Sequence, residues 1–307
     1  MSNKTDHLGR RYDEWLIQDI MPRREVHLIV GPAGAGKTTF TLQMLEDFVE
    51  GHWVLGKNTF PCPVVFVSCD RSEADHFRTL DRIGIEHGKF QFFGQRDNPT
   101  TVEVITETCA RNWPGCLVFI DGFATLVPGG KHSDYDVVSN FLRTAGKACE
   151  KYDITILGSL HATKAKEGEK FTDPRQRALG SAAWGGFSDL MIVIDREDPD
   201  NATEFRRVSV LPRNAREYVL RYEIGHNGRM VISEDLDENN LLSLLEFWLN
   251  QQPVTRIIPT AEFIEQGKAA AVSARSVERW LSTQLELGHL IKDGKGKYRR
   301  VAQNEIQ

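Results

Sequence analysis

The chain has 307 residues, 26% of them charged and 40% hydrophobic, with a formal charge of −5. That length holds one large domain or a medium domain plus a small one. The acidic balance argues against a uniformly basic nucleic-acid binder. No apolar run approaches the ~18 residues of a membrane span, and Met1-Ser2-Asn3-Lys4-Thr5-Asp6 has no signal pattern, so the expectation is a cytoplasmic protein with no membrane partner. The five cysteines are odd in number and scattered, without a Cys-x-x-Cys pair. They read as reduced structural thiols, and no structural zinc is expected.

The first strand, 26–30, runs straight into Gly31-Pro32-Ala33-Gly34-Ala35-Gly36-Lys37-Thr38, followed by Thr39 and a helix-like run over 39–45. This is the G-x-x-x-x-G-K-[ST] phosphate loop in its required strand-to-helix setting. Glycines let backbone N–H groups wrap a phosphate chain, Lys37 bridges its terminal phosphates and the Thr38 hydroxyl ligates magnesium. The chain is therefore expected to bind ATP with Mg2+.

The next strand, 64–68, presents Asp70 at its end and Glu73 one turn later. Strand ends are where an α/β sheet carries its chemistry. Asp70 is the candidate to orient the attacking water, with Glu73 in reserve, although an Asp there could instead cap the helix 73–83. Four apolar residues, 117–120, then lead to Asp121, the expected Walker B acid and second metal ligand. Residue 122 is glycine, so the Asp-Glu pair that supplies both carboxylates in many oligomeric ATPases is absent. A flexible loop, Pro128-Gly129-Gly130-Lys131-His132, follows, and Lys131 is a candidate DNA contact. Strand 155–161 ends in His161, which is either a packed residue or a sensor of the terminal phosphate. After it come Lys164, Lys166, Lys170, Arg175 and Arg177, a cluster suited to single-strand phosphates. Glu167, Glu169 and Asp173 in the same loop also fit a merely solvated segment. Three closely spaced strands, 190–194, 205–211 and 219–224, predict an antiparallel extension at one sheet edge. The alternation as a whole describes an α/β domain with a mainly parallel central sheet over residues 1–232.

An acidic stretch, 233–240, marks the boundary. Beyond it, helices are expected at 241–251, 260–270 and 273–287, the last capped by Ser273 and ended by Gly288. Two strands, 289–292 and 297–301, close on the turn Asp293-Gly294-Lys295-Gly296. Three helices and a basic hairpin describe a winged helix over 241–307. Residues 241–307 hold nine Lys/Arg against seven Asp/Glu, a basic excess confined to this end. Arg275 and Arg279 on the third helix could enter a major groove while Lys295 and Lys297 reach the backbone. Protein docking is the blander role for the same domain.

Several segments, taken in order, resemble the RecA-like ATPases, most closely the RepA-type hexameric replicative helicases. They are Trp15-Leu16-Ile17 through Arg24, Ser68-Cys69-Asp70-Arg71, Phe119-Ile120-Asp121-Gly122, His161-Ala162-Thr163-Lys164, Gly180-Ser181-Ala182-Ala183 and Leu211-Pro212-Arg213-Asn214. The resemblance implies a RecA-like P-loop NTPase fold and a hexameric ring in which each ATP lies between neighbours. It also implies a trans-acting arginine that stabilises the transferred phosphoryl. Arg206, Arg207, Arg213 and Arg216 lie near its position, and Arg207 and Arg213 are favoured. The family's usual water-activating glutamate is Asp70 here, one methylene shorter. A plasmid-, phage- or bacterium-encoded DNA helicase or translocase is the implied function. A DNA-bound regulatory ATPase without unwinding, and a recombination mediator, are the alternatives.

Overall fold

The computed structural model describes residues 14–94, 100–162, 175, 181–196, 205–225, 227–232, 245, 248–249, 252–253, 255–269 and 274–301. The chain divides into two compact units, Met1–Val231 and Ile232–Gln307.

In the first unit a small antiparallel pair, β1 (Trp15–Ile17) and β2 (Met21–Pro22), precedes the main sheet. The elements then alternate as β3 (Val26–Gly31), α1 (Lys37–Glu50), β4 (Val64–Ser68), α2 (Glu73–Ile83), β5 (Gln91–Gly94), α3 (Val102–Asn112), β6 (Leu117–Asp121), α4 (Tyr135–Tyr152) and β7 (Thr155–His161). There follow α5 (Ala183–Phe187), β8 (Leu190–Arg196), β9 (Phe205–Pro212), β10 (Tyr218–Ile224) and β11 (Met230–Ile232). Among the described residues the sheet has nine strands in the order β11-β10-β9-β8-β3-β7-β6-β4-β5. From β8 to β5 every pair is parallel, whereas β9 and β10 run antiparallel, as the close spacing of their sequences predicts. Every residue of β3, β4 and β6 is buried. Helices on both faces explain why these strands read as unbroken apolar runs rather than alternating ones.

Local chemistry sets the helix ends. Ser72 caps α2 by accepting from the Asp75 N–H, and Gly84 ends it in the left-handed region at φ 70°. Asp134 caps α4 with its carboxylate on the Asp136 and Val137 N–H groups. Between α4 and the sheet, Phe123, Phe141 and Trp184 form an aromatic cluster with ring centroids 5.0–6.2 Å apart. Gly158 is required there, since a Cβ would meet the Phe123 ring at 2.3 Å. The loop 128–132, expected to be flexible, is folded. It passes through a 3-10 turn, Pro128–Gly130, and the Trp184 indole donates to the His132 carbonyl at 3.1 Å.

The parallel register aligns strand ends. Gly31 faces His161 and Ser68 faces Asp121, so the phosphate loop, Asp70, Asp121 and His161 share one edge of the sheet.

The second unit contains β12 (Ile257–Pro259), α6 (Thr260–Ala269), α7 (Ala274–Glu286), β13 (Leu290–Lys292) and β14 (Lys297–Arg300). The strands form an antiparallel sheet in the order β12-β14-β13. Its core is aromatic: the Phe263 ring lies 5.3 Å from Trp248, 5.8 Å from Tyr298 and 6.1 Å from Trp280. Val277, Trp280 and Leu281 bury one face of α7, and Gly288 follows it at φ 74°. Gln284 joins that buried face, its Oε1 2.8 Å from His289 Nδ1. The short β12 was not expected from the sequence. The 233–240 linker, most of helix 241–251 and Ser273 lie outside the described residues.

Candidate active site

The phosphate loop turns on Gly34 at φ 74° and Gly36 at φ 95°. The Ala35 N–H donates to the Pro32 carbonyl at 3.2 Å. α1 then starts at Lys37 with no side-chain cap and no acid in its first turn. Its first N–H groups and the positive end of its dipole are thereby left to an anion. Lys37 Nζ donates to the Gly31 and Pro32 carbonyls at 2.7 and 3.1 Å. Burial lowers its pKa, and the Asp121 charge partly offsets this. A cleft of about 350 Å³ opens over the loop, and Thr38, Asp70, Asp121 and His161 all line it.

Asp121 is 4% exposed. Its Oδ1 accepts from Ser159 Oγ at 2.6 Å, and the same hydroxyl accepts from the Gly122 N–H at 2.9 Å. Its Oδ2 is buried without a hydrogen-bond partner, with His76 Nε2 3.8 Å away. A buried carboxylate oxygen left open, in the same cleft as the Thr38 hydroxyl, is a hard oxygen donor set that fits magnesium. His76 Nε2 lies 2.8 Å from Ser68 Oγ, which itself donates to the Arg71 carbonyl. The imidazole therefore donates to the serine. Burial, then the Arg71 charge, lowers its pKa to about 4, so it stays neutral beside the carboxylate.

Asp70 does not cap α2, because Ser72 does. Its carboxylate is left in the cleft, where partial burial and then the Asp121 charge raise its pKa. Gly122 makes this possible: a Cβ there would stand 3.1 Å from both Cβ and Cγ of Asp70. Glu73 is exposed and is not among the residues lining the cleft. His161 sits at the strand end, its pKa lowered first by burial and then by Lys37. The four groups singled out in the sequence, Lys37, Asp70, Asp121 and His161, thus converge on one cleft.

Residues 5–167 match the family described as AAA domain. The chain belongs to the AAA domain family. This AAA-domain chain is also similar in structure to the ATPase domain of a helicase, with a TM-score of 0.55 at 16% identity over 69% of this chain and 86% of that one. A KaiC-like protein, PH0186 from Pyrococcus horikoshii OT3, aligns at 18% identity over 76% of this chain and 98% of that one, with a TM-score of 0.48. No curated protein matches. The fold of the AAA-domain unit is that of a RecA-like P-loop ATPase. No helix among the described residues is long and apolar enough to cross a membrane.

The arginines of this AAA-domain ATPase separate by register. Arg206 is buried and its Nε donates to the Ala35 carbonyl of its own phosphate loop at 3.0 Å. Arg207, next along β9, is exposed and faces the other way. Arg213 lies beyond the far end of β9, at the opposite sheet edge from the cleft. It contacts Asp189 at 3.6 Å and donates to the Gly186 carbonyl at 2.5 Å. Neither Arg207 nor Arg213 touches the cleft of its own chain. Of the nucleic-acid candidates, Lys131, Arg279, Lys295 and Lys297 are exposed. Lys164, Lys166, Lys170 and the side chain of Arg275 lie outside the described residues.

Ser159, His76 and the cis placement of Arg206 escaped the sequence reading. Ser159 carried a usable signal: it interrupts an apolar strand two residues before His161, which puts it on the same face. His76 falls at the spacing of Leu80 and Ile83, the buried stripe of α2, and reads there as core.

Proposed function

We propose that this chain is an ATP-dependent DNA translocase or helicase of the RepA type, hydrolysing ATP at the subunit interfaces of a hexameric ring in replication. The observation that carries the reading is the division of the machinery between two sheet edges. The cleft occupies one edge and Arg213 the other, so one subunit's arginine meets a neighbour's nucleotide only in a head-to-tail contact. Such heterologous contacts close into rings when the rotation permits.

Magnesium, held by Thr38 and Asp121, supplies charge neutralisation on the terminal phosphates when bound. Lys37 exchanges its loop carbonyls for the β- and γ-phosphate oxygens. Asp70 orients the attacking water and accepts its proton, a role that its raised pKa suits. His161 lies where loss of the γ-phosphate would be felt, and the loop that follows it, with Lys164, Lys166 and Lys170, is the proposed carrier of single-stranded DNA. Lys131 adds charge beside it. In the second unit, read as a winged helix, Arg275 and Arg279 would face a duplex and Lys295 and Lys297 its backbone.

The test is unwinding of a forked duplex by the parent chain and by Lys37→Ala. Unwinding by the parent alone supports the motor. DNA binding and ATP turnover by the parent without unwinding would refute it and favour a DNA-bound regulatory ATPase. The Asp70 carboxylate, one methylene shorter than the family's glutamate, also suits a slow switch of that kind.

A further inference from the structure

The antiparallel extension does more than widen the sheet. The register sets Arg206 of β9 opposite Arg196 of β8 and Tyr222 of β10. Strand alternation turns Arg206 toward the phosphate loop, where it is 7% exposed. Two hydrogen bonds then fix the central peptide of that loop. The Ala35 N–H is held by Pro32 and the Ala35 carbonyl by Arg206 Nε. Arg196 reaches the same loop, since a Cβ on Gly34 would stand 3.1 Å from its Nη2.

Like charges directly opposite on neighbouring strands repel. Burial and then Arg196 lower the pKa of Arg206. An anion on the loop relieves both effects, and the polyphosphate chain of a nucleotide is such an anion.

We propose that Arg206, assisted by Arg196, is a positioning residue for the polyphosphate bound by its own chain: it fixes the Ala35 peptide and adds positive charge in cis. The inference rests on the ATPase reading of the cleft. It gives Arg206 a role distinct from the trans arginine.

The experiment compares ATP affinity and turnover in the parent, Arg206→Met, Arg206→Lys, Arg213→Ala and Lys37→Ala, each checked for folding by circular dichroism. Arg206→Met should raise Kd and KM for ATP about ten-fold, the weight of one charge-assisted hydrogen bond, with kcat falling less. Arg206→Lys keeps the charge without the Nε donor and should fall between Met and the parent. Mixing then separates cis from trans. Arg206→Met subunits mixed with excess Lys37→Ala subunits, which carry an intact Arg206, should show no gain in turnover per Arg206→Met subunit. A gain would assign Arg206 to the neighbour's site and overturn the proposal. So would an unchanged Kd in Arg206→Met while Lys37→Ala loses binding. ATP binding and turnover untouched by Lys37→Ala would instead sink the cleft reading, and this inference with it. Should Arg206→Met fail to fold, Arg206→Lys and Arg196→Met carry the same comparison.

Discussion

Ser159→Ala tests whether the Asp121 carboxylate is held by the bridge described above. Ser159 and Asp121 are each 4% exposed, so solvent does not substitute freely for what is lost. The hydroxyl makes two bonds there: it donates to Asp121 Oδ1 at 2.6 Å and accepts from the Gly122 N–H at 2.9 Å. The first is charge-assisted, worth about 1.5–3 kcal/mol, and removing the second leaves a donor unsatisfied for about 1–3 kcal/mol. Partial relaxation brings the expected loss to about 2–4 kcal/mol. Asp121 Oδ2 already lacks a partner, so the variant carboxylate loses the hydrogen bond that holds its rotamer, and the metal pair with Thr38 loosens. Turnover should fall about 10–100-fold, and the Mg2+ concentration for half-maximal rate should rise. Urea unfolding followed by circular dichroism and ATPase titration with Mg2+ measure the two effects. Ser159→Thr keeps the hydroxyl and should retain most of both. A stability change below about 0.5 kcal/mol together with an unshifted Mg2+ dependence would refute the reasoning.

Three further outcomes follow from the geometry. Asp70→Asn should abolish turnover while leaving the Kd for ATP near that of the parent; unchanged turnover would move the role to Glu73. Arg213→Ala should lower kcat by about 10³-fold, the scale of an arginine finger, with little change in Kd. Adding Lys37→Ala subunits should restore it, and a lack of any loss would remove Arg213 from the ring mechanism. His27, fully buried with Nε2 2.9 Å from the Pro22 carbonyl, has its pKa lowered to about 4 by burial. Unfolded, it takes up a proton near pH 6.5. The unfolded chain thus binds more protons between these values, and this contribution to stability is lost as pH falls through them, at about 1.4 kcal/mol per unit. Glu25, raised to about 7 by burial and then by Asp189, runs with the opposite sign. The His27→Gln minus parent difference therefore isolates the imidazole. That difference should shrink as pH falls from 6.5 to 4, and a constant difference would contradict the assignment.

What the sequence disclosed was local chemistry or long apolar runs. The phosphate loop is legible because its glycines and lysine act through their own backbone neighbourhood. Asp70, Asp121 and His161 are legible because each ends a buried strand, and a parallel sheet gathers such ends at one edge. The separation of Arg206 from Arg207 was not, because it depends on which face of β9 meets the loop, a matter of register with β8 about ten residues distant in sequence. For the same reason the tie between the Gln43 side chain and the Met230 backbone, 187 positions apart, has no local trace. The strands that escaped notice, β1, β2, β5, β11 and β12, have two to four residues each, too few for a period to emerge.

The exchange between residues 70 and 122 explains why the sequence lacks an Asp-Glu pair. Gly122 sits at φ 79°, where a side chain costs roughly 1–2 kcal/mol, and its missing Cβ is the space beside Cβ and Cγ of Asp70. The site has room for a second carboxylate from β4 or from the end of β6, but not from both. Gly122→Glu, which would restore the pair on paper, should therefore displace Asp70 and lower turnover toward that of Asp70→Asn. Removing the obstruction in Gly122→Glu/Asp70→Gly should recover part of the loss, because the glutamate then enters the vacated space. ATPase rates of the two variants against the parent decide it. A single Gly122→Glu variant as fast as the parent would mean that the two carboxylates coexist, and that Asp70 is not confined by the glycine.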